Sequence, residues 1–101
     1  MEIDVSSEGD EVVLAVAGEV DAHNCQTLGE AVLSAASDAG SHTVVIDAGA
    51  LAFIDSSAIS ELLRVREALI EKGGHLAMRN TGQSVRRVLE ITGLLDTFEI
   101  D

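Results

Sequence analysis

Runs of apolar residues punctuate this chain at changing periods. Two strands are read from Glu2 to Val5 and from Val12 to Ala17, joined by a Ser-Ser-Glu-Gly-Asp turn over Ser6 to Asp10. From Asn24 to Ser37 the spacing becomes helical, with Leu28, Val32 and Ala35 on one side, Asn24 at the N-cap position and Gly40 after the last turn. The unbroken run Val44-Val45-Ile46 within His42 to Asp47 reads as a strand buried on both faces. A second helix is expected from about Ser57 to Lys72, its apolar stripe made by Ile59, Leu62, Leu63, Leu69 and Ile70 and its end set by Gly73-Gly74. His75 to Arg79 follows as a short strand. Ser84 to Thr92 then forms a third helix with Val85, Val88 and Leu89 inward, and Thr97 to Ile100 a last strand. The order β-β-α-β-α-β-α-β predicts a single α/β domain over residues 1–101. It should hold a mixed sheet of about five strands, with helices packed mainly on one face and crossovers joining parallel strands.

Composition narrows the kind of core. Apolar residues make up 47% of 101 positions, enough for a packed interior, yet Phe53 and Phe98 are the only aromatics of the Phe, Tyr and Trp class. The core is therefore aliphatic, built from Val, Leu, Ile and Ala. Cys25 is the single cysteine and sits in an apolar-periodic stretch, which suits a small core residue and rules out an internal disulfide. The acidic N-terminus lacks a signal-peptide layout, and no apolar run reaches the ~20 residues that span a bilayer. The expectation is a cytoplasmic protein without membrane insertion.

Charge excludes further classes. The net charge is −12, so the chain repels a phosphate backbone and an anionic membrane surface alike. Residues 1–50 carry ten acids and no Lys or Arg, whereas residues 51–101 carry eight acids and all six bases. The acidic half reads as a solubilising surface, or as a face that meets a basic partner.

Candidate chemistry concentrates at Phe53-Ile54-Asp55-Ser56-Ser57-Ala58, where a helix begins after an apolar strand and a short connection. Asp and Ser are preferred N-caps, so one of these polar residues serves that purpose. A hydroxyl here could also accept a phosphoryl group, stabilised by the helix N–H donors and dipole but repelled by the neighbouring Asp55. A nucleophilic-enzyme reading would need a base in reach. His23, His42 and His75 lie in other segments, and no Gly-x-Ser-x-Gly elbow surrounds Ser56. One Cys and three scattered His offer no metal-ligand spacing, and no glycine-rich phosphate loop is present. No catalytic residue, metal ligand or cofactor is expected.

Three motifs in order give a further reading. Gly18-Glu19-Val20-Asp21, Phe53-Ile54-Asp55-Ser56-Ser57, and Ser84-Val85-Arg86-Arg87-Val88-Leu89 with Thr92-Gly93-Leu94 resemble the STAS domain, specifically the anti-sigma factor antagonists of bacteria. The resemblance spans almost the whole chain. It departs at Ala58-Ile59-Ser60, where the family commonly has Gly-Leu-Gly, and the family's helix after the last strand has no counterpart before Asp101. What the resemblance implies is partner switching in transcription regulation. The unphosphorylated antagonist binds an anti-sigma factor, itself a serine kinase of the histidine-kinase ATPase type, and so frees the sigma factor. The kinase inactivates the antagonist by phosphorylating the Ser after the Asp, here Ser56, and a metal-dependent serine phosphatase restores it. Asp55 would orient that hydroxyl or hold the helix start, and Asp21 would lie near it. The partner surface would take in Asp21, Asp55, Ser57, Ala58, Glu61 and Arg64. The competing reading from the same resemblance is an unphosphorylated binding subunit of a lipid-transport ATPase complex or of a stress-signalling scaffold.

Overall fold

The computed structural model describes residues 1–100; Asp101, the last residue of the expected domain, lies outside them. Strands β1 (Glu2–Glu8) and β2 (Glu11–Val20) lead into α1 (Cys25–Ala39) and β3 (Thr43–Asp47). Then come β4 (Leu51–Ile54), α2 (Ser56–Glu71), β5 (His75–Arg79), α3 (Gln83–Ile91) and β6 (Glu99–Ile100). The sheet runs β1-β2-β3-β5-β6, with β4 pairing β2 outside that path. Among the described residues only the β1–β2 pair is antiparallel, so the sheet is mixed, as the element order predicts.

The first two strands are longer than their apolar runs. They meet in a hairpin whose loop is Gly9-Asp10 alone, with Glu8 opposite Glu11. Gly9 has φ +63° at the first central position, as a two-residue turn of the II′ kind demands, and this tight turn carries Ser6 and Ser7 into the strand. β4 falls where the sequence pattern predicts a connection. Leu51–Ile54 is only four residues long with its middle two exposed, so its own pattern gives little strand signal, and pairing with β2 is what defines it.

That pairing depends on an irregularity in β2. Val12 to Ala15 run beside β3, whereas Gly18, Glu19 and Val20 run beside β4, with the register shifting between Gly18 and Glu19. Gly18 has φ +94° and donates its N–H to the Ala50 carbonyl at 3.0 Å. The extra residue at this shift is Ala52 of β4, since the consecutive Gly18 and Glu19 face Leu51 and Phe53, and at Gly18 a residue with a Cβ would be strained at that φ. One ten-residue strand thereby serves two parallel partners in succession.

The two sheet faces are finished differently. Val12, Leu14 and Val16 of β2, Val44 and Ile46 of β3, and Leu76 and Met78 of β5 join one buried cluster with the inner residues of all three helices. The core is aliphatic apart from Phe98, and Cys25 belongs to it at 8% exposure. Ile70 departs from the expected stripe: it lies on the outer side of α2 and is exposed. On the opposite face, registers place Glu8, Val13, Val45, Asp47 and Arg79 together. Val13 and Val45 are buried although outside the helix-packed cluster. The Arg79–Glu8 ion pair, at 2.8 Å, crosses from β5 to β1 over the two strands that carry them. The long Arg side chain thus covers apolar surface while its head stays polar.

Beside this pair, the Asp47 carboxylate accepts the Gly49 N–H at 3.0 Å and the Asn80 side-chain amide at 3.1 Å. These bonds, the Gly49 one foremost, hold Asp47 below the usual carboxylate range.

Two outcomes follow for stability. Gly18→Ala should lower it by about 1–3 kcal/mol, the cost of a non-glycine residue held at strained φ, read as an earlier urea midpoint at unchanged slope. Because the folded pKa of Asp47 lies below its unfolded value of ~3.9, its contribution is complete above that value and disappears as pH falls through the folded one. Asp47→Asn should therefore be destabilising at pH 7, with a penalty that shrinks as pH is lowered below ~3.9 in urea titrations.

Candidate functional site

The residues Ile54-Asp55-Ser56 turn a strand into a helix. Asp55 is extended, with φ −112° and ψ −177°, and its Oδ1 accepts the Ala58 N–H at 2.9 Å. Its own carbonyl accepts the Ile59 N–H at 3.1 Å. Asp55 is thus the N-cap of α2, satisfying one of the N–H groups that a helix start leaves without acceptors. The helix consequently begins at Ser56, one residue earlier than the apolar stripe suggests. Ser56 is exposed, Ser57 half-buried and Ala58 wholly buried. The Ser56 and Ser57 amides, first in the helix, have no intrahelical carbonyl to reach.

The second loop is held beside the first by the β2–β4 pairing. Val20 lies opposite Ile54, and the Asp55 N–H reaches the Val20 carbonyl at 3.3 Å. The next residue, Asp21, organises its own turn. Its Oδ1 accepts the His23 N–H and its carbonyl accepts the Cys25 N–H, both at 2.9 Å. Asn24 stands at the N-cap position of α1, but its side chain makes no cap bond. It accepts the Asp21 N–H at 2.9 Å and donates to the Glu19 carbonyl at 2.9 Å. Asn24 therefore braces the loop in place of the helix end. Asp21 and the Asp55–Ser57 segment are brought together on adjoining turns, the arrangement the sequence motifs imply.

The other expected contact residues are distributed less simply. Glu61 does not present a free carboxylate: Arg64 grips it with Nε to Oε1 at 2.7 Å and Nη2 to Oε2 at 2.8 Å. Its side chain is only 11% exposed, lying against Gly29 of α1, where a Cβ would collide with the carboxylate. The hydrogen bond from Arg64 holds Glu61 below the usual carboxylate range. Glu61 thus marks the α1–α2 seam, and Arg64, 57% exposed, is the outward member of the pair. Ala58 contributes through its capped N–H, since its methyl is in the core. Sequence reasoning placed no weight on Phe53 as surface, yet it is 45% exposed on β4, directly before the cap. With both Ala52 and Phe53 outward, the segment lacks the alternation that would mark Phe53 as the exposed face of a strand.

Electrostatically the site is acidic. No Lys or Arg precedes Arg64 in the chain, so neither loop contains a cation, while Asp21 and Asp55 lie in them and Glu19 stands near the end of β2. Among the described residues no set of three or more His, Cys, Asp or Glu side chains is arranged to hold a metal ion. What the geometry offers is an exposed serine at a capped helix start, with the Asp21 loop on the adjoining turn and the exposed Phe53 in the strand before the cap.

The STAS domain family profile matches residues 2–101. BtrV, a candidate anti-sigma factor antagonist of Bordetella bronchiseptica, is 34% identical over 89 residues, covering 88% of this chain and 76% of that protein. A solved anti-sigma factor antagonist from Mycobacterium paratuberculosis superposes with TM-score 0.84 at 27% identity, over 98% of this chain and 83% of the other. The anti-sigma factor antagonist SpoIIAA in its unphosphorylated form matches with TM-score 0.81 at 22% identity, over 99% and 88% of the two chains. Its Bacillus phosphorylated form matches with TM-score 0.72 at 21% identity, over 99% and 91%. At those identities the likeness to SpoIIAA is one of fold.

Removing the cap tests the local architecture. Asp55→Ala should cost roughly 0.5–2 kcal/mol in chemical unfolding, and Asp55→Asn, which keeps an acceptor oxygen, much less.

Proposed function

The chain belongs to the STAS domain family, and from that footing we propose that it is an anti-sigma factor antagonist switched by phosphorylation of Ser56. The observation that carries this reading is the exposure of the Ser56 hydroxyl at the first position of α2, with the cap already supplied by Asp55. A kinase can reach this hydroxyl without unfolding the helix. The unphosphorylated surface, formed by Asp21, Asp55, Ser56, Ser57 and the outward Arg64, with Phe53 at its margin, docks on an anti-sigma factor and releases the sigma factor it holds. Ala58 and Glu61 act from behind that surface, through the cap and the α1–α2 seam.

Phosphorylation would change the surface far more than the fold. The added charge of about −2 enters a site that already holds Asp21 and Asp55 and has no cation in either loop. The Ala58 N–H is committed to Asp55, so the phosphate has only the first helical amides to draw on. The electrostatic balance therefore favours loss of an acid-tolerant docking contact over a new internal bond. The kinase is the anti-sigma factor, of the histidine-kinase ATPase type, and a metal-dependent serine phosphatase reverses the reaction. The chain itself is a cytoplasmic substrate and binding protein, with no catalytic residue of its own. No helix among the described residues is long and apolar enough to cross a membrane.

The test is intact-mass spectrometry after incubation with ATP and lysate of the source organism, with the site then localised. One added phosphate on Ser56, absent from Ser56→Ala, is expected. Ser56→Ala should keep binding the anti-sigma factor, and Ser56→Asp should bind at least tenfold more weakly. A protein that stays unmodified in a lysate active on another substrate would overturn the switch and favour an unphosphorylated subunit of a transport or scaffold complex.

A further inference from the structure

β1 is the outermost strand at its end of the sheet, and no strand among the described residues pairs its outer edge. It is seven residues long and almost wholly exposed, so it presents a row of free backbone N–H and C=O groups. Two depressions flank it, the helix-side one mainly apolar with Asp38 at its rim and the other carrying three carboxylates. On the helix side, a groove of about 500 Å³ runs between β1 and α1, with Val5 as one wall and the small residues Ala31, Ser34 and Ala35 as the other. Val5 is 56% exposed in this groove, although it lies opposite the fully buried Leu14. On the helix-free side, a depression of about 370 Å³ is lined by Glu2, Asp4 and Asp47, and it opens because the cross-strand row Asp4–Ala15–Asp47 has only a methyl at its centre.

We propose that β1 is a docking edge for an extended segment of a partner protein in which basic and apolar residues alternate. Such a segment adds as a further strand by main-chain hydrogen bonds. Its apolar side chains enter the groove beside Val5, and its basic side chains fall on the opposite face against Glu2 and Asp4. Charge selects this occupant. Glu2 and Asp4 form no ion pair among the described residues, and the first half of the chain has ten acids with no Lys or Arg. A second copy of this chain is the wrong partner for the same reason: pairing β1 with β1 sets Glu2, Asp4 and Glu8 against one another, and like charges opposed across strands are destabilising. Self-repulsion at a net charge of −12 adds to that penalty. The surface is distinct from the Ser56 site, so it stands or falls independently of the switch proposed there.

The probe is an end-blocked decapeptide of alternating lysine and valine, titrated into the isotope-labelled full chain and followed by backbone amide shifts. The expected result is saturable binding that perturbs Ile3, Val5 and Ser7 together with the Ala31–Asp38 side of α1, weakening as salt is raised. Val5→Lys and Asp4→Lys, both at exposed positions, should each weaken binding at least tenfold while leaving the remainder of the spectrum intact. Ser56→Asp should leave it unchanged. A lysine–serine peptide binding equally well would overturn the proposal, because the groove would contribute nothing. So would a glutamate–valine peptide binding equally well, perturbations spread over the whole acidic surface, or no binding at all.

Discussion

One strand with two successive partners organises this molecule. β2 is long enough to pair β3 along its first half and β4 along its second, and the register shift beside Gly18 makes the change of partner geometrically possible. Without that irregularity β2 would continue in one direction and β4 would have no ladder to join. With it, Val20 and Ile54 become neighbours, and the chain leaves both strands at the same end of the sheet. The Asp21 loop and the Asp55 cap are therefore adjacent as a direct result of backbone conformation some residues upstream. The Glu19 and Val20 carbonyls then do the fine positioning, one accepting Asn24 and the other the Asp55 amide. The functional surface inherits its shape from hydrogen bonding within the sheet.

The site built on that framework places its structural duties on residues other than Ser56. Asp55 caps the helix, Asn24 and Asp21 tie the neighbouring loop, and Ala58 fills the core beneath them. Ser56 has none of these duties. An exposed hydroxyl that nothing leans on can be modified and restored without disturbing the packing below. The pairing of Glu61 with Arg64 follows the same division, with the carboxylate packed at Gly29 and the guanidinium outward.

Local patterns made much of this legible. The helical spacing of Leu28, Val32 and Ala35, the stripe from Ile59 to Leu69, and the run Val44-Val45-Ile46 each identify an element whose burial depends on its own periodicity. The Asp55-Ser56 helix start was legible for the same reason, since a cap is a local device. β4 was not, because four residues with two facing outward are a strand only through β2. The inward placement of Glu61 and Ala58 was also hidden. The first depends on a glycine thirty-two positions earlier in the chain, and the second on which helical face meets the sheet. Asn24 shows the limit of a positional rule: it occupies the cap site, but the loop offers its side chain better partners than the helix does.

The ion pair over the helix-free face joins residues separated by 71 positions in the chain. The Gly9-Asp10 hairpin closes a loop of two residues and costs little entropy, whereas Glu8 and Arg79 can meet only after β3 and β5 have both docked. The pair is thus an interaction that requires the assembled sheet. With both side chains part-exposed, the clasp from β5 to β1 is worth at most about 1 kcal/mol, so its main effect is to lay an aliphatic stem over the face that no helix covers.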